Sequence, residues 1–252
     1  MKQKALVVLS GGQDSTTCLF WAKKNFAEVH AITFDYGQRH RIEIDAAIKV
    51  GEMAGVLSHE IVQVPQCLIS TSPLTSDNEL ERYESPEQME QIIGNRREDT
   101  FVPMRNALFL TIAANRAEAL GIPNLITGVC QMDNANYDDC REIFIQATEV
   151  YINTALGHDH RGTTPIKIHT PLMYLTKAET VKLSYELPGC WEAMAYSHTS
   201  YDGKYPPTDM NHANVLRAQG FAEAGLPDPL VLRAVKEGLM ELPKSSNYWG
   251  LA

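Results

Sequence analysis

Short apolar runs alternate with longer stretches whose apolar residues recur every three or four positions. Residues 5–9, 29–34, 60–64 and 124–129 are runs of the length and β-branched content of buried strands. Residues 14–24, 40–54, 104–120, 138–156 and 177–185 carry the helical spacing. Gly121 and Pro123 mark the end of the third of these helices. A βαβα alternation predicts an α/β fold, with a doubly wound parallel sheet and helices on both faces. In such a sheet ligands bind beyond the carboxyl ends of the strands. Residues 66–100 are polar, contain Pro73 and Pro86, and read as a long loop or mobile excursion near the site. Residues 196–212 are irregular and rich in Tyr, Pro and Asp, and one further helix is expected at about 229–240. The reading divides the chain into a domain of residues 1–190 and a C-terminal region, 191–252, packed on the same domain.

Composition adds limits. The chain of 252 residues has a net charge of −9, which disfavours a broad nucleic-acid surface. A small anion held by backbone N–H groups is compatible with it. The apolar run at 5–9 is too short for a signal or a membrane span, so a cytoplasmic protein without membrane attachment is expected. Five scattered cysteines, none in a CxxC pair, read as reduced thiols.

The chemistry begins at Ser10-Gly11-Gly12-Gln13-Asp14-Ser15-Thr16, between the first strand and the first helix. Glycines let the backbone approach a phosphate, and the helix start offers N–H groups and a favourable dipole. There is no Gly-Lys-Ser/Thr, so this is not a kinase-like P-loop. The plainer reading is a Gly-Gly turn before a capped helix. The string resembles the PP-loop of ATP pyrophosphatases, which holds the pyrophosphate released when a substrate is adenylated.

Four further segments extend the resemblance. They are Phe34-Asp35-Tyr36-Gly37-Gln38-Arg39-His40; Thr100-Phe101-Val102-Pro103-Met104-Arg105-Asn106; Thr127-Gly128-Val129-Cys130, running on to Asp133 and Tyr137-Asp138-Asp139-Cys140-Arg141; and Thr170-Pro171-Leu172 with Lys177-Ala178-Glu179. Together they are similar to the 7-cyano-7-deazaguanine synthase family over roughly residues 4–225. The resemblance implies a Rossmann-like sheet of the adenine nucleotide α-hydrolase type, with a C-terminal helical extension and a homodimeric assembly. It implies ATP-dependent conversion of 7-carboxy-7-deazaguanine and ammonia to the nitrile, through an adenylated carboxylate and an amide.

Residue roles follow from it. Ser10, Gly11, Gly12, Gln13, Asp14, Ser15 and Thr16 are expected on the ATP phosphates, with Asp14 also near Mg²⁺. Lys177 stands where a base could neutralise pyrophosphate, or is a solvated helix-start lysine. Asp14, Ser15, Lys177 and Arg105 form the expected catalytic set. Arg105 and Arg141 are candidates for the substrate carboxylate, because guanidinium binds it in a fork; ordinary ion pairing is the alternative. Asp133 or Asp139 would read the guanine-like edge, Tyr36 would stack on it, and Gln38, Arg39 and Asn106 complete the substrate set. Cys130 and Cys140 suggest a thioester, which an adenylate route does not need, so packing is the simpler role.

One feature departs from the family. It usually carries four zinc cysteines, spaced roughly C-x7-C-x2-C-x2-C and followed by Leu-Arg. Here Leu216-Arg217 and Gly220-Phe221 are present, but the four positions are Ser200, Thr208, Asn211 and Asn214. Structural zinc is therefore not expected. The open alternatives are a rebuilt site from Cys190, His198, Asp209 and His212, or packing around Tyr196, Tyr201, Tyr205, Pro206 and Pro207. Three other functions stay in view: joining the activated carboxylate to another amine, nucleotide binding without turnover, and a tRNA-directed PP-loop activity. The last is disfavoured by the acidic balance.

Overall fold

A computed structural model describes residues 3–38, 42–64, 70, 72–76, 78–94, 96–132, 137–200 and 202–251. Five strands form one fully parallel sheet: β1 (Lys4–Val8), β2 (Glu28–Asp35), β3 (His59–Gln63), β4 (Asn124–Ile126) and β5 (Lys167–His169). Their order is β3-β2-β1-β4-β5. In register, Leu6 faces His30 on one side and Leu125 on the other. The chain reverses its winding between β1 and β4, which opens a crevice at their carboxyl ends.

The helices are α1 (Gln13–Asn25), α2 (Ile42–Ala54), α3 (Pro86–Ile93), α4 (Arg105–Leu120), α5 (Glu142–Leu156), α6 (His158–Arg161), α7 (Lys177–Glu186), α8 (Cys190–Met194), α9 (His212–Ala224) and α10 (Pro229–Lys236). One face of the sheet meets α1, α2, α7 and α8 through Val7, Leu19, Val50, Val181 and Met194. The other meets α4 and α5 through Leu6, Ile32, Leu125, Leu110 and Ile145. Coverage on both faces explains the apolar runs of the central strands β1, β2 and β4, whereas the edge strands β3 and β5 are more polar. Each fully buried Leu or Ile contributes roughly 1.5–3 kcal/mol. Among the described residues, no helix is long and apolar enough to cross a membrane.

The expected strands and helices are found, with differences: the short α6 and α8 were not expected. β4 ends at Ile126, because Thr127 to Cys130 leave the sheet to line the crevice. Residues 138–156 are not one helix: a 3-10 turn at Asp138–Cys140 precedes α5, with Arg141 extended between them. That break lets Asp139 turn inward and accept from the Asn106 N–H at 3.4 Å. The stretch 66–100 contains α3, capped by Ser85, whose hydroxyl accepts from Gln88 N–H at 3.2 Å. Met89 and Ile93 of α3 pack with Tyr83 against Val215 of α9, so this part is anchored. The tail holds two helices, α9 and α10, where one was expected. The buried face of α9 includes His212, Asn214 and Arg217, which hid its periodicity. The three-residue β5 is too short to show alternation.

Candidate active site

A cavity of about 280 Å³ lies over the carboxyl ends of β1, β2 and β4. Leu9, Tyr36 and Thr127 follow those strands directly and line it. From the loop 10–16, Ser10 and Gly12 to Ser15 line it as well. Gly11 has φ of +85°, and a Cβ there would stand 2.4 Å from the Glu43 carbonyl and 2.6 Å from Ala47 N. Only glycine lets the loop rest on α2. Gly12 has an ordinary φ of −77°, and the nearest atoms to a Cβ there are 3.5 Å away. Ser15 Oγ donates to the Gly12 carbonyl at 3.1 Å and accepts from Ser10 N–H at 3.2 Å; the two serine hydroxyls are 3.0 Å apart. No side chain caps α1 at Gly12. The helix start is therefore open to an anion from the cavity.

Two polar groups in this loop have no partner among the described residues. Gln13 is 3% exposed, lines the cavity, and neither amide atom is hydrogen-bonded. A buried orphan amide is costly, and a polar ligand would satisfy it. Thr16 is fully buried in α1 beneath the loop, its hydroxyl also unpartnered, and does not line the cavity.

Lys177, first residue of α7, donates to both Asp14 carboxylate oxygens at 3.0 and 2.9 Å. Its stem lies against α9 at Gly220, where a Cβ would sit 2.3 Å from Lys177 Cγ. Gly128 plays a similar part: its Cβ would lie 3.2 Å from Ser15 N and from the Asp14 carbonyl carbon. Both glycines let neighbouring elements close tightly on the phosphate loop.

Arg105 enters from the start of α4, after Met104, whose φ of +62° puts it in the left-handed region. Its guanidinium hydrogen-bonds the Tyr36 side chain. Burial raises the Tyr36 hydroxyl, and Arg105 opposes that rise. Burial pushes Glu43 up to about 7, again with Arg105 opposing. Asp139 is raised by burial against the same cation. Arg105 thus stands among three groups that are each easier to ionise because it is there. Asn106 lines the cavity, and its Nδ2 donates to the Asp139 carbonyl at 3.3 Å. Phe34 and Phe109 stack at 4.3 Å and Tyr36 leans on Phe109 at 5.4 Å, giving an aromatic wall. Gln38 lines the cavity, with its amide bonded to Tyr36 N–H at 3.0 Å and the Phe34 carbonyl at 3.4 Å.

Other expected residues stand elsewhere. Asp139 does not line the cavity and bonds Asn106, which does. Arg141 lies outside the lining, 3.9 Å from Asp138, with its side chain 40% exposed. Arg39 and Asp133 lie outside the described residues. Cys130 and Cys140 line the cavity as thiols: Cys130 donates to the Leu175 carbonyl at 3.2 Å, and burial, aided by Asp139, pushes Cys140 up to about 12. Cys190 is wholly buried in the apolar core, and among the described residues no three His, Cys, Asp or Glu side chains converge. Cys190, His198, Asp209 and His212 are therefore not brought together.

Sequence reasoning missed Glu43, Phe109, His198, His212 and Arg217 as lining residues. The His198 N–H donates to the Gly11 carbonyl at 2.8 Å. Arg217 is almost fully buried, bonded to both Asp228 oxygens at 2.6 and 2.9 Å and to Ser197 and Thr199 at 2.9 and 2.8 Å. No local motif announces such contacts.

The chain is similar to known proteins over most of its length. A family model described as "Queuosine biosynthesis protein QueC" matches residues 4–225. The chain is 49% identical over 231 residues to the 7-cyano-7-deazaguanine synthase of Gloeobacter violaceus, covering 90% of this chain and 95% of that one. It is 48% identical over 231 residues to that of Laribacter hongkongensis, covering 92% and 95%. Among solved structures, it is similar to a predicted subunit of a tRNA methyltransferase from Methanocaldococcus jannaschii, at 17% identity and a TM-score of 0.47, covering 84% and 96%. The match across nearly the whole chain places this protein in the QueC family.

Proposed function

We propose that the chain converts 7-carboxy-7-deazaguanine and ammonia to 7-cyano-7-deazaguanine at the expense of ATP. The single observation carrying this reading is the open helix start at Gly12, with Lys177 on Asp14 to one side and Arg105 by an aromatic wall to the other. An anion and a flat carboxylate-bearing base fit such a divided cavity. The names of the relatives supply the base.

In this reading the substrate carboxylate oxygen attacks the α-phosphorus of ATP. The P–O bond to the β-phosphate breaks and pyrophosphate leaves. Ser10, Gly12, Gln13 and Ser15 bind the phosphates, and Lys177 offsets the charge that grows on pyrophosphate. Arg105 orients the carboxylate, while Phe109 and Tyr36 fix the ring plane. Ammonia then adds to the acyl carbon, AMP departs, and a proton is released, leaving an amide. A second adenylation, on the amide oxygen, lets AMP leave with that oxygen and two protons to form the nitrile.

Mg²⁺ would neutralise phosphate charge, and Asp14, a cavity-lining carboxylate at the loop, is the hard oxygen donor suited to hold it. The reading includes a homodimer in the cytoplasm, which light scattering on the purified protein tests for its first part. The activity test is incubation with ATP, Mg²⁺, 7-carboxy-7-deazaguanine and ammonium, followed by mass spectrometry. AMP, pyrophosphate and the nitrile are expected. AMP with only an amide or a conjugate would move the reading to another amine, and no AMP would withdraw it.

A further inference from the structure

The four positions where the family's zinc cysteines fall behave in an unforeseen way. Three of them converge on one carboxylate. Ser200 Oγ donates to Asp209 Oδ1 and Oδ2 at 2.9 and 2.7 Å. Asn214 Nδ2 donates to Asp209 Oδ1 at 2.9 Å and to its carbonyl at 3.1 Å. Asn211 Nδ2 donates to Asp209 Oδ2. The fourth, Thr208, is exposed and stands apart. All four are buried except Thr208, with Ser200 and Asn211 each 1% exposed. Asn214 Oδ1 has no partner among the described residues, while its Nδ2 is given to Asp209. These groups turn hydrogens, not lone pairs, toward the centre of the cluster. They do not fit a zinc ion, which needs thiolate, imidazole or carboxylate donors pointing inward.

The cluster is connected to the phosphate loop. Asp209 holds Ser200, and the Ser200 carbonyl is 3.0 Å from His198 Nε2. The His198 N–H donates to the Gly11 carbonyl at 2.8 Å, and the His198 carbonyl lies 3.5 Å from the Cβ position of Gly12. On the other side, Asn211 caps α9, its Oδ1 accepting from Asn214 N–H at 3.1 Å. Helix α9 brings Ala213, Leu216 and Arg217 to the cavity and Gly220 to Lys177. Asp202, paired with Arg82 at 3.0 Å, stands beside Asp209, and its N–H donates to Ser200 Oγ at 3.3 Å.

We propose that Asp209 is a positioning residue for the phosphate loop, its carboxylate tying the Ser200 turn to the start of α9 as a metal-free cross-link that holds His198 against Gly11. The proposal rests on the ATP-dependent reading above. A loop that holds phosphate equally before and during reaction contributes uniform binding, so loosening it raises KM more than it lowers kcat.

The experiment compares wild type, D209N and the polarity swap D209N/N211D, with KM for ATP and kcat read from AMP formation and metal read by elemental analysis. In D209N one carboxylate oxygen becomes an N–H₂ that faces a donor. In the swap that N–H₂ meets a new acceptor at 211, which can still cap α9. Expected are about a tenfold rise in KM for D209N with kcat within about twofold, as suits the loss of a charge-assisted hydrogen bond. The swap is expected to return KM to within about threefold of wild type. Wild type is expected to keep its activity with excess Mg²⁺ after treatment with a zinc-selective chelator. An unchanged KM in folded D209N, a swap that fails to restore it, or stoichiometric zinc in active wild type would each overturn the proposal. Should D209N not fold, recovery of folded, active protein by the swap supports it and failure to recover sinks it. Wild type that makes no AMP would instead refute the activity reading, while metal content and the folding of the swap still judge the cross-link.

Discussion

Lys177 Nζ donates to both oxygens of Asp14 across 163 residues of chain, at 3.0 and 2.9 Å, and its side chain is only 12% exposed. Lys177→Met keeps the stem that packs on Gly220 and removes the charge. Turnover measured as AMP release should fall on the order of 100-fold, the usual effect of losing one transition-state donor. Circular dichroism should show the fold unchanged. Near-normal turnover would remove Lys177 from the reaction.

The two loop glycines should respond differently. Gly11→Ala forces a side chain into the left-handed region and against the Glu43 carbonyl. It should cost at least about 2 kcal/mol of stability, read by urea unfolding. Gly12→Ala meets no strain and should fold normally. Gly12 lines the cavity, so an added methyl takes up ligand space there, and kcat/KM for ATP should drop on the order of 100-fold. Equal stability losses in both variants would contradict the geometry.

Arg217→Ala leaves Asp228 charged, buried and unpaired. The expected loss is about 3–5 kcal/mol, seen as a lower denaturant midpoint. Arg217→Lys should recover little, because one ammonium cannot bond both Asp228 oxygens and the two hydroxyls of Ser197 and Thr199 together.

Glu43 gives a pH signature. Its carboxyl is raised by burial from an ordinary 4.5 to about 7. Between those values the folded chain holds a proton that the unfolded chain has lost. The Glu43 contribution to stability therefore falls as pH rises through this window and is level above it. Urea unfolding from pH 5 to 8 should show wild type losing stability relative to Glu43→Gln. A constant difference between the two would refute the raised value.

The order of strands and helices, the loop and the place of the crevice were legible because each rests on local signals. Apolar runs of strand length, helical spacing and a Ser-Gly-Gly sequence are short-range patterns, and a parallel βαβ chain has few ways to wind. Asp14 and Ser15 fall inside the Ser-Gly-Gly pattern, whereas Arg105 and Tyr36 could be named only through the resemblance to the family. α9 was illegible, since a helix whose buried face is partly polar shows no apolar stripe. The break at Arg141 was hidden because only the inward turn of Asp139 against Asn106 explains it.

What the sequence by itself determined is the fold class and the chemistry offered at one edge of the sheet. Tertiary structure alone decided which distant groups meet. It brought Lys177 to Asp14, put Glu43 beside Arg105, set Gly220 against the Lys177 stem and gathered Ser200, Asn211 and Asn214 on Asp209. Such pairings depend on the packing of whole elements and on the removal of water from charged groups. Neither is encoded at any fixed spacing along the chain.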